Sequence, residues 1–306
     1  MKISELSPVQ LQQRLHQQGL CIRTGPFVTR VHTSLTAAVE GIGLLYADYP
    51  VADEDDFADF HIRLALPRGV RRWIKPQVLF LFDGTRTFKP LPADQAFPMF
   101  EWGLNWCVSS HAHSYLIIHA AVLEKHGHAV IMPAPPGSGK STLCAALARN
   151  GWRLLSDELA LVRIADGNVI PLPRPVSLKN ASIDIMRDYA PDAVFSRKVS
   201  DTMKGTVAHM QAPADSVARA GEPARPGWVI FPRYEAGAGT RLTDTPKARA
   251  FMRAADNAFN YSLLGERGFA SLAALIEASS CHEFTYSNLD EAIDTFNRLQ
   301  PQVPLS

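Results

Sequence analysis

The run Ala134-Pro135-Pro136-Gly137-Ser138-Gly139-Lys140-Ser141-Thr142 carries the most legible chemistry in the chain. It fits the pattern of a phosphate-cradling loop ending in Gly-Lys-Ser, with alanine in place of the first glycine. Gly137 and Gly139 let the backbone bend until successive N–H groups face one anion. A helix that starts at the end of the loop adds its positive N-terminal end. Lys140 can reach terminal phosphates, and the Ser141 hydroxyl can ligate magnesium. The implied ligand is a nucleoside triphosphate with Mg2+, taken as ATP; no base-recognition motif is legible to separate ATP from GTP. The setting agrees: an apolar run from His128 to Met132 leads in, and an amphipathic helix pattern from Thr142 to Asn150 leads out. A chance glycine-rich turn would have neither flank.

A second cluster follows. Gly151 takes the position after a helix end that favours glycine. Trp152-Arg153-Leu154-Leu155-Ser156-Asp157-Glu158 then reads as a buried strand that delivers two acids at its carboxyl end, the edge where ligands sit in open α/β sheets. If the strand persists, Asp157 and Glu158 face opposite ways and do different jobs. One suits magnesium, directly or through water; the other suits taking a proton from an acceptor hydroxyl. Spacing alone does not say which. Upstream, His119 interrupts the apolar run Tyr115 to Val122 and on these residues alone reads as a core histidine. His126 and His128 flank Gly127 in a turn and read as exposed, with no accompanying ligands at zinc spacing.

Taken together, His119-Ala120-Ala121-Val122, the Gly-Lys-Ser loop and Gly151 to Glu158 resemble the HPr serine kinase/phosphorylase superfamily. Members carry a histidine 21 residues ahead of the loop lysine, the separation of His119 from Lys140. They also carry an acidic pair whose second member is the catalytic base. The resemblance implies a P-loop kinase core of the HPr kinase/PEP carboxykinase-like type. It gives the base role to Glu158, a metal role to Asp157 beside Ser141, and an active-site role to His119. The family has aspartate where this chain has Glu158, so the arm carrying the base is longer here. Phe100 to Cys107, Arg174 to Asn180, Lys204-Gly205-Thr206 and Phe259-Asn260-Tyr261 are similar to a narrower group, the HPr-kinase-related kinase A proteins. The implied activity is transfer of the γ-phosphoryl group of ATP to a hydroxyl, that of a serine in a peptide or protein acceptor, with a small molecule as an alternative. Related enzymes of peptide natural-product pathways phosphorylate a serine on a precursor peptide. Two other readings stay open. Glu at the base position leaves room for a nucleotide-binding switch without efficient transfer. A phosphorylase acting on phosphoserine is the other, although the extra Gly-rich signature of the bifunctional HPr enzymes is not found downstream of the acids. Self-association is expected by analogy with the hexameric HPr enzymes.

The elements that must position these residues can be read in outline. An α/β fold is expected, with a mostly antiparallel α+β N-terminal region over 1–112 and the catalytic domain over 113–306. Ser7-Pro8 with Gln10 marks a capped helix start, and Gly19 ends that helix. Residues 20–90 alternate apolar runs with turns, including Asp83-Gly84 as a hairpin signal. Asp53 to Asp56 reads as a solvated loop. Residues 99–111 read as a helix with Trp102 and Trp106 on one face, packing in the core or against the other domain. Leu159 to Ile164 and Val169 to Leu172 form a hairpin. Arg174 is a candidate for positioning acceptor or phosphate, or else a structural ion pair. Residues 191–226 lack apolar periodicity and read as one long loop, within which Asp201 to Thr206 could be a lid and Lys204 a phosphate contact. Trp228 to Phe231 reads as a strand, and helices are expected over 246–259, 270–278 and 289–299, the last capped by Asn288.

Composition bounds the rest. The 306 residues are 46% hydrophobic and 20% charged, with formal net charge +1; such a balance makes no electrostatic case for nucleic acid or an anionic membrane. There is no 18-residue apolar run and no apolar signal core near Met1, so a cytoplasmic location is expected. Cys21, Cys107, Cys144 and Cys281 are scattered and read as free thiols. Cys144 reads as a packing residue, open to alkylation beside the nucleotide.

Overall fold

The computed structural model describes residues 1–53 and 55–301. Of the acidic stretch, Glu54 lies outside them, and Asp53, Asp55 and Asp56 are exposed. The chain is mixed α/β with mixed sheets.

Helix α1 (Pro8–His16) begins with the expected capping box: Ser7 Oγ accepts from Gln10 N at 3.3 Å, and Ser7 N donates to Gln10 Oε1 at 2.9 Å. Strands β1 (Leu20–Thr24) and β2 (Phe27–Thr33) form a hairpin. Helix α2 (Thr36–Leu45) then crosses over, and β3 (Phe60–Ala65) pairs parallel to β2. The sequence reading missed α2, because Thr36-Ala37-Ala38-Val39 is apolar on most sides and lacks an amphipathic stripe. Its crossover makes the one parallel pair among the described residues of this sheet. β4 (Gln77–Phe82) and β5 (Thr85–Arg86) turn at Asp83-Gly84 as expected, and β6 (Leu91–Pro92) also pairs with β4. Helix α3 (Ala96–His111) packs on this sheet, with Trp106 edge-on to Phe82 and Phe88 at 5.5 and 5.6 Å.

The central sheet starts with β7 (Tyr115–Lys125) and β8 (His128–Pro133), an antiparallel hairpin. The loop 134–139 leads into α4 (Lys140–Arg149), and β9 (Arg153–Ser156) returns beside β7. β10 (Leu159–Arg163) continues along the same flank of β7, and β11 (Val169–Ile170) closes the hairpin. β12 (Val176–Lys179) and α5 (Ala181–Tyr189) follow. The stretch expected to be one long loop instead contains β13 (Val199–Thr202), β14 (Gly205–Met210) and the short α6 (Ala214–Ala218). β12, β14 and β13 make a separate three-stranded sheet. Its short strands carry buried Ser177, Thr202 and His209, which hid the apolar alternation.

β15 (Arg225–Tyr234) lies parallel to β8 on its other flank. β16 (Arg241–Asp244), α7 (Lys247–Asp256), α8 (Tyr261–Leu264) and α9 (Glu266–Glu277) precede β17 (Ser280–Tyr286), which pairs parallel with β15. Helix α10 (Leu289–Asn297) starts where Asn288 accepts from Asp290 N and Glu291 N at 2.8 and 3.1 Å. The sheet order is β11-β10-β7-β8-β15-β17-β16, with β9 also on β7. One apolar cluster runs from Ile3 through Phe80, Ile117 and Leu147 to Phe296, so side chains on both sides of residue 112 share a core. No helix among the described residues is long and apolar enough to cross a membrane.

Candidate active site

Ala120 pairs with Pro133 at the end of β8, which brings His119 to the start of the loop. On the opposite flank of β7, Val122 pairs with Ser156 and His119 with Leu159. The two intervening acids therefore lie across from Ala120 and Ala121, whose small side chains leave them room. Loop, histidine and acids thus meet where β8 ends, in the middle of the central sheet.

Their contacts form a chain. Lys140 Nζ lies 3.1 Å from His119 Nε2, and the same nitrogen lies 3.0 Å from Glu158 Oε2. A ring nitrogen either donates or accepts. With a proton on Nε2, His119 donates to Glu158; without it, Nε2 accepts from Lys140. Burial alone would raise the Glu158 carboxyl, but the His119 hydrogen bond and the Lys140 and Lys179 charges outweigh it and hold the group below the ordinary carboxylate range. Burial also pushes the Lys140 ammonium down, against the pull of Glu158 and Asp157.

Asp157 turns elsewhere. It is 4% exposed, and its Oδ2 accepts from Ser177 N at 3.1 Å. Its Oδ1 is buried with no hydrogen-bond partner. Burial and the neighbouring Glu158 charge push its carboxyl up. Behind it Cys144 is fully buried, its Sγ 3.9 Å from Ser156 O.

The loop is held from two sides. Tyr234 N, at the end of β15, donates to Ser138 O at 2.9 Å, and Tyr286 Oη, at the end of β17, donates to Gly139 O at 3.0 Å. Gly139 has φ +84°, and a Cβ there would lie 2.5 Å from Tyr286 Oη, so glycine is required twice over. Gly137, at φ +85°, faces open space, and Ser138 Oγ is buried without a partner.

A cavity of about 800 Å³ opens over these groups. It is lined by Pro135 to Thr142, His119 and Glu158, together with Ser177, Lys179, Lys204, Tyr234 and Tyr286 among others. Ala134 is buried at the foot of the loop. Arg174 does not line the cavity. It is buried, bonded to Asn105 Oδ1, with Nη1 3.5 Å from Glu101 Oε2. Lys204 sits at the exposed β13–β14 turn, its ammonium 5.1 Å from the Trp102 ring centroid. Trp102 and Trp106 thus serve different surroundings despite their spacing. Sequence reasoning missed Lys179, Ser177 and the two tyrosines. The alternation Val176-Ser177-Leu178-Lys179 held the signal for the first two, since a period of two sets Ser177 and Lys179 on one face. A second cavity, of about 490 Å³, lies by the β7–β8 turn, where the Arg153 guanidinium is already bonded to Glu124 and to two carbonyls.

Among the described residues, no three His, Cys, Asp or Glu side chains cluster to hold a metal. Residues 98–195 match the family model described as SynChlorMet cassette protein ScmC. This stretch, less than half of the chain, includes His119, the loop, both acids and Lys179. No curated protein matches the chain.

Proposed function

We propose that this chain is an ATP-dependent kinase with a P-loop core of the HPr kinase type, which transfers the γ-phosphoryl group to a serine hydroxyl of a peptide or protein. The contact chain Lys140–His119–Glu158 at the mouth of the 134–142 loop carries this reading. The residues fit the nucleotide and its cation. Two glycines with positive φ open the loop to an anion, and Asp157 Oδ1 and Ser138 Oγ are buried without partners. Ser141 and Asp157 would hold magnesium, which, when bound, neutralises phosphate charge and fixes the orientation of the phosphate oxygens.

Each side chain then has a task. The loop N–H groups and Lys140 bind the β- and γ-phosphates. Drawn to phosphate oxygen, Lys140 leaves Nε2, and His119 is free to donate to Glu158 and fix its orientation. Glu158 accepts the proton of the acceptor hydroxyl while the new O–P bond forms and the bond from γ-phosphorus to the bridging oxygen breaks, releasing ADP. Glu158 is ionised throughout the neutral range, and the withdrawal of Lys140 to phosphate removes one of the charges that hold its basicity down.

The test uses γ-labelled ATP, magnesium and a library of serine-containing peptides. Glu158→Gln should lower transfer by roughly 10²–10⁴-fold with nucleotide affinity little changed, and Lys140→Ala should weaken both. Tight ATP binding by the wild type with no acceptor labelled would replace the kinase reading with that of a nucleotide switch.

A further inference from the structure

The cavity holds positive charge beyond the loop lysine. Besides Lys140 it is lined by Lys179 and Lys204. Neither makes a contact ion pair among the described residues, and both charges act on the Glu158 carboxylate across the cavity. The two lysines come from one small sheet: Lys179 ends β12, and Lys204 occupies the turn of the hairpin that pairs with it. Asn180 fixes their relation. Its N donates to Thr206 O at 2.9 Å and its Oδ1 accepts from Thr206 N at 3.1 Å. Asn180 holds φ at +52°, a conformation rarely kept without a reason. A Cβ at Gly205 would lie 2.4 Å from Asn180 Oδ1, so the hairpin closes tightly on this residue. The Trp102 ring faces the Lys204 ammonium. Ser177, two residues before Lys179, lines the same cavity, is 6% exposed and has an Oγ with no hydrogen-bond partner. A buried unpartnered hydroxyl lining the same cavity as two ammonium groups without contact ion pairs is what an oxyanion would satisfy.

We infer that Lys179 and Lys204, with the Ser177 hydroxyl, form a second anion subsite beside the γ-phosphate position, and that the acceptor carries a carboxylate or phosphate close to its reacting hydroxyl. This rests on the kinase reading and narrows its substrate to acidic hydroxyl acceptors. In a peptide, the anion would be an acidic or phosphorylated neighbour of the serine, or a terminal carboxylate. Two lysines make a compact, strongly hydrated binding point for either kind of anion.

Calorimetry on the full chain tests the assignment. The protein is first saturated with magnesium and a non-hydrolysable ATP analogue, which fills the γ-phosphate position. Inorganic phosphate and malonate are then titrated separately. At least one should bind, and which one binds tells a phosphate-bearing acceptor from a carboxylate-bearing one. Lys179→Met with Lys204→Met should weaken that anion about tenfold or more, corresponding to about 1.4 kcal/mol. Affinity for the analogue should change far less, and Lys179→Arg with Lys204→Arg should retain anion binding. Failure of both anions to bind the loaded protein would overturn the subsite. So would a double methionine variant that loses the analogue while keeping ADP, because the lysines would then serve the γ-phosphate. If the wild type binds no nucleotide at all, the kinase reading falls first and takes the subsite with it.

Discussion

Nε2 of His119 stands between a cation and an anion and can serve only one of them at a time. Its role therefore depends on what draws Lys140 away, and His119→Ala should lower transfer more than it lowers nucleotide affinity, which calorimetry beside the peptide assay would separate. A second histidine gives a prediction of a different kind. His209 is 1% exposed, both ring nitrogens lack partners, and its ring is edge-on to Phe97 at 5.3 Å. Burial pushes its imidazole down to about 3. Unfolded, the ring takes a proton near its usual 6.5, so between these values the unfolded state binds more protons. Its contribution to stability is full above pH 6.5 and is lost as pH falls toward 3, at up to about 1.4 kcal/mol per pH unit. Urea unfolding at pH 7.5 and pH 5 should show a larger loss for the wild type than for His209→Leu; equal losses would refute the assignment. At this scale much of the candidate site was legible. Lys140, Ser141, Asp157 and Glu158 announce themselves by type and spacing. Lys179 and His209 do not, because their meaning depends on a strand pairing that no local pattern reveals.

At the scale of elements, α3 sets the approach to β12. Glu101 of α3 accepts from Oη of Tyr46, the residue after α2, at 2.5 Å and pairs with Arg174, and Tyr49 Oη donates to Pro173 O at 3.0 Å. These buried groups fix residues 173–174, from which β12 carries Ser177 to Asp157 and Lys179 to the cavity. Glu101→Ala would strand the Arg174 guanidinium and should cost about 3–5 kcal/mol in urea unfolding. Adding Arg174→Met should recover a large part, and no recovery would mean that Glu101 acts through Tyr46 alone. Helix ends with side-chain caps, at Ser7 and Asn288, could be read in advance because capping is local chemistry. α2 could not, since its helix rests on burial in tertiary contacts instead of a polar face. The β13–β14 hairpin was hidden for a related reason: buried polar Thr202 and His209 interrupt its apolar alternation.

At the scale of the molecule, the residues before and after 112 share one apolar cluster, with Phe27 edge-on to Tyr115 at 6.0 Å and Phe97 against His209. The full chain should therefore unfold in urea in a single transition seen alike by tryptophan fluorescence and circular dichroism. Residues 113–306 expressed alone should fail to give a cooperative transition; a well-folded fragment would make the two regions independent. Net charge +1 says little about such a molecule, because some of its positive groups are gathered locally, three lysines lining one cavity. None of the four cysteines is in a disulfide and all are buried, and burial raises the thiols of Cys107, Cys144 and Cys281. The native chain is thus shielded from electrophiles, and Cys144 offers no handle for a covalent inhibitor despite its place behind the loop. The same shielding makes the protein its own clock: adducts counted by mass spectrometry after a timed pulse of alkylating reagent would report how often the whole interior opens.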